Sequence, residues 1–433
     1  MRLKRTISPF RRRRATILIL TVWLIVVLSV MAYSLAYEVR LGLKSTGLNN
    51  RRLHAQALAR AGLAKAVLDL KNDRLIRQAK NGLGNDTLDN IWAQTDDKTD
   101  VEMGDGGTYS VRIVDEDRKL NLNAIQGPAI PALAYLFETV GGVKAEKAQT
   151  MAEAVADFRD PDTLVSSGVG GDEAEYYTEW GLKNFGRDLA PGWTFRPKND
   201  DLLSLDELLE IPGVTSEMLH GDGKSALLDP IERIDSEKES GALADYLTVS
   251  SGLPASAAGG MPGMPGMPGQ AAATAQIGIN INTCSQPVIE AMINAASTGA
   301  GGGGSGLEGM AKKILDLREG HKIIKSDEGN SGITNPQQIS EAGLPPDVTS
   351  KMIQMFALNV SSFSFTITSR GEYQGVHKTI QANVYVILPP PFNLDPTKSD
   401  RHRRRDQRAR GILKNQPNMI IDPEIHVRRI MEL

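Results

Sequence analysis

Twenty-two consecutive residues without a charge, Ala15 to Ala36 in "RRRRATILILTVWLIVVLSVMAYSLAYEVR", constrain this chain more than any other feature. A helix of that length spans roughly 30 Å at about 1.5 Å per residue, the thickness of a bilayer's hydrocarbon core. The apolar stretch of a secretory signal is shorter, about 7–15 residues, and leads to a small-residue cleavage site. Ser34-Leu35-Ala36 matches such a site poorly. Arg2, Lys4, Arg5 and Arg11 to Arg14 precede the run with no acid among them. Such clusters stay on the cytoplasmic side, so the pattern predicts an uncleaved single span with the remaining chain exported.

The helical pattern continues past the span. In "RLHAQALARAGLAKAVLDLKNDRLI", Leu53, Ala57, Ala61, Ala64 and Leu68 recur at helical spacing, with Arg51, Arg52, Arg60, Lys65 and Lys71 largely off that stripe. A helix from residue 15 to 72 would be on the order of 85 Å long. Gly42 and Gly47 each weaken it by roughly 1 kcal/mol against Ala and mark a place for a bend.

With 433 residues, the exported part has room for two or three compact units. The net charge of −3, from 49 basic and 52 acidic side chains, argues against a general affinity for nucleic acid. The basic clusters lie at the ends, in the N-terminal run and from Arg401 to Lys414. Cys284 stands alone, which excludes an intrachain disulfide. "GDGKS" at 221–225 lacks the first glycine of a phosphate loop, since Met218 occupies that place. Neither a Gly-x-Ser-x-Gly elbow nor a His-Glu-x-x-His helix occurs, and the six histidines are scattered. The expectation is a non-enzymatic protein.

Strand signals are few and far apart. "GTYSVRIVDEDRKLNLN" puts Tyr109, Val111 and Ile113 on one face, then turns through Asp115-Glu116-Asp117 toward a second strand. "SSFSFTITSRGEYQGVHKTIQANVYVIL" alternates Phe363, Phe365 and Ile367 with serines and threonines, turns between Gly371 and Gly375, and resumes from His377 to Ile387. Two hairpins of one antiparallel sheet follow, because an isolated hairpin is marginal in water.

The intervening block repeats itself. Asn121 and Asn123 correspond to Asn280 and Asn282, Pro128 to Pro287, Asp157 to Asp316 and Arg159 to Arg318, all 159 positions apart. "VTSEML" and "VTSKMI" then match at an offset of 134, which leaves 25 extra residues in the first copy. Two helical modules of SAM-like or helix-hairpin-helix-like form are expected. "SLDE" at 204–207 reads as a capping box, and "IPGV" as the turn of a helical hairpin. A DNA-binding hairpin carries a second glycine where Thr215 stands, and Asp206, Glu207, Glu210 and Glu217 around it would repel phosphates. The tracts "GGMPGMPGMPGQAAA" and "STGAGGGGSG" read as exposed loops.

An acidic stretch, "DFRDPDTLVSSGVGGDEAEYYTEW", gathers Asp157, Asp160 and Asp162, then Asp172, Glu173 and Glu175 beyond a glycine-rich turn. Calcium takes 6–8 oxygens from flexible loops, which this stretch could supply, although the EF-hand spacing is absent. A solvated acidic loop is the competing reading.

Taken in order, "RRRRATILILTVW", "ARAGLAKAVLDL", "DEDRKLNLN", "DFRDPD…GGDEAEYY", "SLDELLEIPGVT", "ININT" and the closing hairpin resemble the K-type minor pseudopilin of type II secretion systems (general secretion pathway protein K). The resemblance runs from about Arg11 to Ile387. It implies an α+β fold, a pilin-like long N-terminal helix on an antiparallel sheet with a large helical insertion. It also implies a non-enzymatic place at the tip of the periplasmic pseudopilus, with I- and J-type minor pseudopilins, the secretion machinery and the inner membrane as partners. No nucleic acid is expected.

The divisions that follow are a cytoplasmic leader 1–14, a span 15–36, helix and first strands 37–123, and a first module with acidic loop and Met-Pro-Gly linker 124–278. A second module at 279–360, a closing hairpin at 361–388 and a flexible basic tail at 389–433 complete them. K-type relatives lack the glutamate that other pseudopilins carry near the start of the mature helix. This chain likewise has no acid between Arg14 and Glu38. The family's prepilin-peptidase site ends in glycine, whereas here the basic run meets Ala15 directly, which puts processing at Arg14 or Ala15 in doubt. Relatives bind calcium in the first module, which makes Asp157, Asp160, Asp162, Glu173 and Glu175 the candidate ligands. The alternative is a membrane-anchored helix-hairpin-helix DNA-uptake or type IV pilus-associated protein.

Overall fold

The computed structural model describes residues 10–81, 85–94, 99–104, 106–165, 171–186, 189–221, 241–251, 278–298, 309–324, 332–387 and 424–432. Most of the basic leader, the Met-Pro-Gly tract, most of the glycine run after Ser297, the Gly-Lys-Ser at 223–225 and the cluster from Arg401 to Lys414 lie outside these residues.

Helix α1 (Phe10–Asn81) is continuous for 72 residues, on the order of 108 Å, and passes through Gly42 and Gly47 unbroken. Every residue from Ile17 to His54 is exposed, and the buried face begins at Ala55. It continues through Ala59, Gly62, Ala66 and Leu70. This is not the stripe expected from the spacing: Leu53 and Leu68 are 59% and 49% exposed, and Ala57 and Ala64 also face out. The reason is closeness of approach. A Cβ on Gly371 would sit 2.1 Å from the Ala55 carbonyl oxygen, and one on Gly62 would sit 2.4 Å from Ser369 Oγ. Small side chains take the positions where helix and sheet meet most tightly, while Leu53 and Leu68 turn away.

Among the described residues the sheet has five strands: β1 (Val101–Met103), β2 (Gly107–Asp115), then, after β3 (Leu120–Asn121) and β4 (Leu247–Thr248) of a separate pair, β5 (Ser364–Tyr373), β6 (Val376–Ile387) and β7 (Glu424–Glu432). Their order is β1-β2-β5-β6-β7, with every neighbour antiparallel. Tyr109, Val111, Ile113, Phe365 and Ile367 pack with Ala66, Leu70 and Trp92 into the core beneath α1. The Trp92 ring meets Phe365 edge-on at 5.0 Å.

Two expectations change here and one is narrowed. Asp115 does not turn into a second strand of this sheet; a 3-10 turn over Glu116–Arg118 leads to β3, which pairs in parallel with β4. The β5–β6 turn falls at Gln374 and Gly375, both with positive φ, as two-residue hairpin loops require. Gly371 is instead a strand residue that lets α1 approach. Finally, within the segment expected as a flexible tail, Glu424–Glu432 form β7, which covers β6 from Ile380 to Ile387 with a register shift at Asn383/Val384. The outer edge of a long strand is otherwise open to pairing with other chains.

Between Asp115 and Ser364 lies the insertion. Among the described residues its helices are α2 (Ile130–Thr139), α3 (Ala145–Arg159), α4 (Glu173–Phe185), α5 (Ser216–His220), α6 (Gln286–Ser297), α7 (Met310–Ile324) and α8 (Pro346–Phe356). Both modules share one apolar core, with Leu133 and Phe137 of α2 in the same cluster as Ile289 and Met292 of α6.

The repeat is visible in its hydrogen bonds. Asn123 Nδ2 donates to the Leu202 carbonyl (2.9 Å) and Asn123 Oδ1 accepts the Leu202 N–H (2.9 Å). Asn282 does the same to Ile333 at 2.9 and 2.8 Å. Arg159 donates to the Ile125 carbonyl (3.3 Å) and Arg318 to that of Cys284 (2.9 Å), both pairs 159 positions apart. The later part aligns differently from the Val-Thr-Ser match. Capping boxes open at Ser204 and Asn335, 131 positions apart, and positive-φ glycines follow at Gly213 and Gly343, 130 apart. Thr215 caps α5 whereas Thr349 lies inside α8, so the matching letters are displaced by about one helical turn.

Candidate metal centre

The acidic stretch folds where α3 ends and α4 begins. Asp160 caps the C-terminus of α3, and Asp172 caps α4 by accepting the Glu175 N–H at 3.2 Å. The two segments are tied by the Glu173 N–H donating to the Thr163 carbonyl (3.2 Å) and by a bridge between Leu164 and Asp172. This brings one carboxylate oxygen each of Asp160, Asp162 and Glu173 within 4.8 Å of one another.

The other two candidates sit differently. Asp157 is fully buried in α3 and its Oδ2 accepts from the Tyr177 hydroxyl at 2.8 Å. The Glu175 side chain is exposed and stands outside the cluster. Tyr177 was not legible as a site residue, although its spacing of four from Glu173 places both on one face of α4. Arg14 and Ala15 lie near the start of α1.

Electrostatically the cluster is unbalanced. Glu173 is 0% exposed, and neither of its carboxylate oxygens has a hydrogen-bond partner. Burial, then the charges of Asp160, Asp157, Asp162 and Asp172, push its pKa up to about 8. Burial together with Asp157 and Asp162 also raises that of Asp160, whose Oδ1 is buried without a partner. The neighbouring cation is committed elsewhere: Arg159 donates to the carbonyls of Leu122 and Ile125. Oxygen donors from the end of α3, the following loop and the start of α4, one of them buried without a donor to either oxygen, fit a hard divalent cation such as calcium.

A long helix laid on an antiparallel sheet, with a helical insertion carrying this acidic loop, defines a pilin-like α+β protein with an added domain. Residues 118–221, which include the whole acidic loop, match the family model described as Type II secretion system (T2SS), protein K. The fold is similar to a chain in the crystal structure of the GspK-GspI-GspJ complex from enterotoxigenic Escherichia coli. The TM-score is 0.52 at 16% identity, covering 90% of this chain and 99% of that one. No curated protein matches the chain. The first inserted module is thus similar to protein K of type II secretion systems, and the chain as a whole shares the fold of that solved structure. A DNA-uptake protein is not favoured.

Proposed function

We propose that this chain is a non-enzymatic minor pseudopilin that ends a periplasmic pseudopilus, anchored in the inner membrane by the first half of α1 with its N-terminus cytoplasmic. The observation that carries this reading is the match of the first inserted module to protein K, set within a pilin-like fold. One described helix is long and apolar enough to cross a membrane, and its apolar window is wholly exposed. The apolar span of α1 holds no acid before Glu38 and so lacks the carboxylate that would receive the amino group of a subunit added above it, a pairing worth far more in a low-dielectric membrane than in water. That suits a last subunit.

Its partners would be I- and J-type pseudopilins, as in the complex to which the fold is similar. Asp160, Asp162 and Glu173 would hold calcium, with Asp157 behind them bracing Tyr177. The ion would supply positive charge that the loop lacks and tie the end of α3 to the start of α4. Co-purification of the full chain in detergent with co-encoded small pilin-like proteins tests the assignment. Stable association with two such proteins is expected. Filaments formed by this chain alone would count against a terminal role.

A further inference from the structure

The helical insertion leaves the sheet at Asp115 and rejoins it at Ser364, and buried carboxylates clamp the two connections together. Asp115 Oδ2 accepts from the hydroxyls of Thr283 and Ser362, and its Oδ1 accepts from the Asp117 N–H at 2.9 Å. Asp117 Oδ2 accepts from the N–H groups of Phe363 (2.6 Å) and Ser364 (3.2 Å). Asp86 Oδ2 accepts from the Ser362 N–H (2.7 Å) and pairs with Arg74 of α1 (2.8 Å). All three acids are 0–1% exposed.

Other charged groups face neighbouring atoms. Glu116 is engaged by Thr248 (2.7 Å) and Lys119 (3.5 Å), while Arg118 and Arg318 act on the buried Cys284. One oxygen of the clamp is different: Asp117 Oδ1 is buried and has no hydrogen-bond partner. A bare carboxylate oxygen there, beside two more buried acids, is costly, whereas a proton on it sacrifices no hydrogen bond.

We propose that Asp117 is retained as a neutral carboxylic acid, protonated on Oδ1, and that this proton locks the insertion onto the sheet. The direction of titration agrees. Burial, then the Asp115 charge, raises Asp117 well above the usual carboxylate range, and burial leads the causes that raise Asp115 to about 6. For acids raised on folding, the stabilisation is complete below their ordinary pKa and is lost as pH rises through the folded value. The clamp therefore loosens toward alkaline pH.

The test compares the full chain in detergent with Asp117→Asn, whose amide keeps the acceptor for Phe363 and Ser364 and puts a neutral group at Oδ1. Wild type should melt several degrees lower at about pH 8.5 than at about pH 5.5. Asp117→Asn should show a shallower fall; Glu173 is common to both proteins and cancels in the difference. Wild type should also show a protonated-carboxyl infrared band at neutral pH that weakens in Asp117→Asn. An unchanged band, or an unchanged pH slope, would overturn the proposal. Should the variant fold poorly, hydrogen exchange of wild-type peptides spanning 361–366, corrected for intrinsic rate, decides. Protection lost as pH rises supports the lock, and protection constant with pH overturns it.

Discussion

Gly371 shows how much of this fold rests on one missing side chain. It lies within β5, opposite the backbone of α1 at Ala55 and Ala59, where a Cβ would meet main-chain atoms at 2.1 and 2.5 Å. Main chain in the middle of a long helix cannot yield as a flexible side chain can. Gly371→Ala should destabilise the pilin-like core by about 1–3 kcal/mol through overpacking. Chemical unfolding followed by the fluorescence of Trp92 in that core would read it, and a midpoint equal to wild type would show that α1 can slide. Asn123 and Asn282 make the complementary point. Each satisfies both backbone groups of one remote residue, so each closes its module with a pair of bonds that water would otherwise have to supply.

At the scale of elements, β7 decides the state of the sheet. It occupies the outer side of β6, and without it the backbone groups from Ile380 to Ile387 would form an open edge. Deletion of residues 424–433 should lower the melting temperature and cause concentration-dependent self-association, measured by light scattering of the detergent-solubilised chain. A truncated protein that stays dispersed and melts like wild type would mean that β7 adds nothing to the sheet. The α3–α4 junction is a second element-level device. A capped helix end and a capped helix start are bridged edge to edge, and the carboxylates converge because the two ends do.

For the whole molecule, calcium should behave as a ligand of the folded state alone. At 100 times its dissociation constant such a ligand adds about 2.7 kcal/mol. Chelation should therefore lower the melting temperature by several degrees, and Asp160→Ala combined with Glu173→Gln should remove the response. Equal melting with calcium and with chelator would leave only a solvated acidic loop. The anchor is tested separately: a periplasm-dependent reporter fused after Leu433 should be active, and activity of a cytoplasm-dependent one would reverse the orientation.

The sequence by itself determined the long helix, its charge-free span, the strands at 107–115 and 364–387 and the paired Asn and Arg of the two modules. These are local patterns, in which charge, alternation and turn residues act on their own neighbours. It also marked the acidic stretch, and three of its five candidate acids meet in space. Only the tertiary structure decided which face of α1 is buried, because the sheet's closeness favours Ala and Gly over the leucines that hydrophobic spacing selects. It alone brought β7 to β6 and separated Glu175 from the cluster. The clamp of Asp86, Asp115 and Asp117 joins segments up to 276 positions apart (Asp86 to Ser362). Such convergence depends on how the chain crosses itself, and no periodicity along one segment records it.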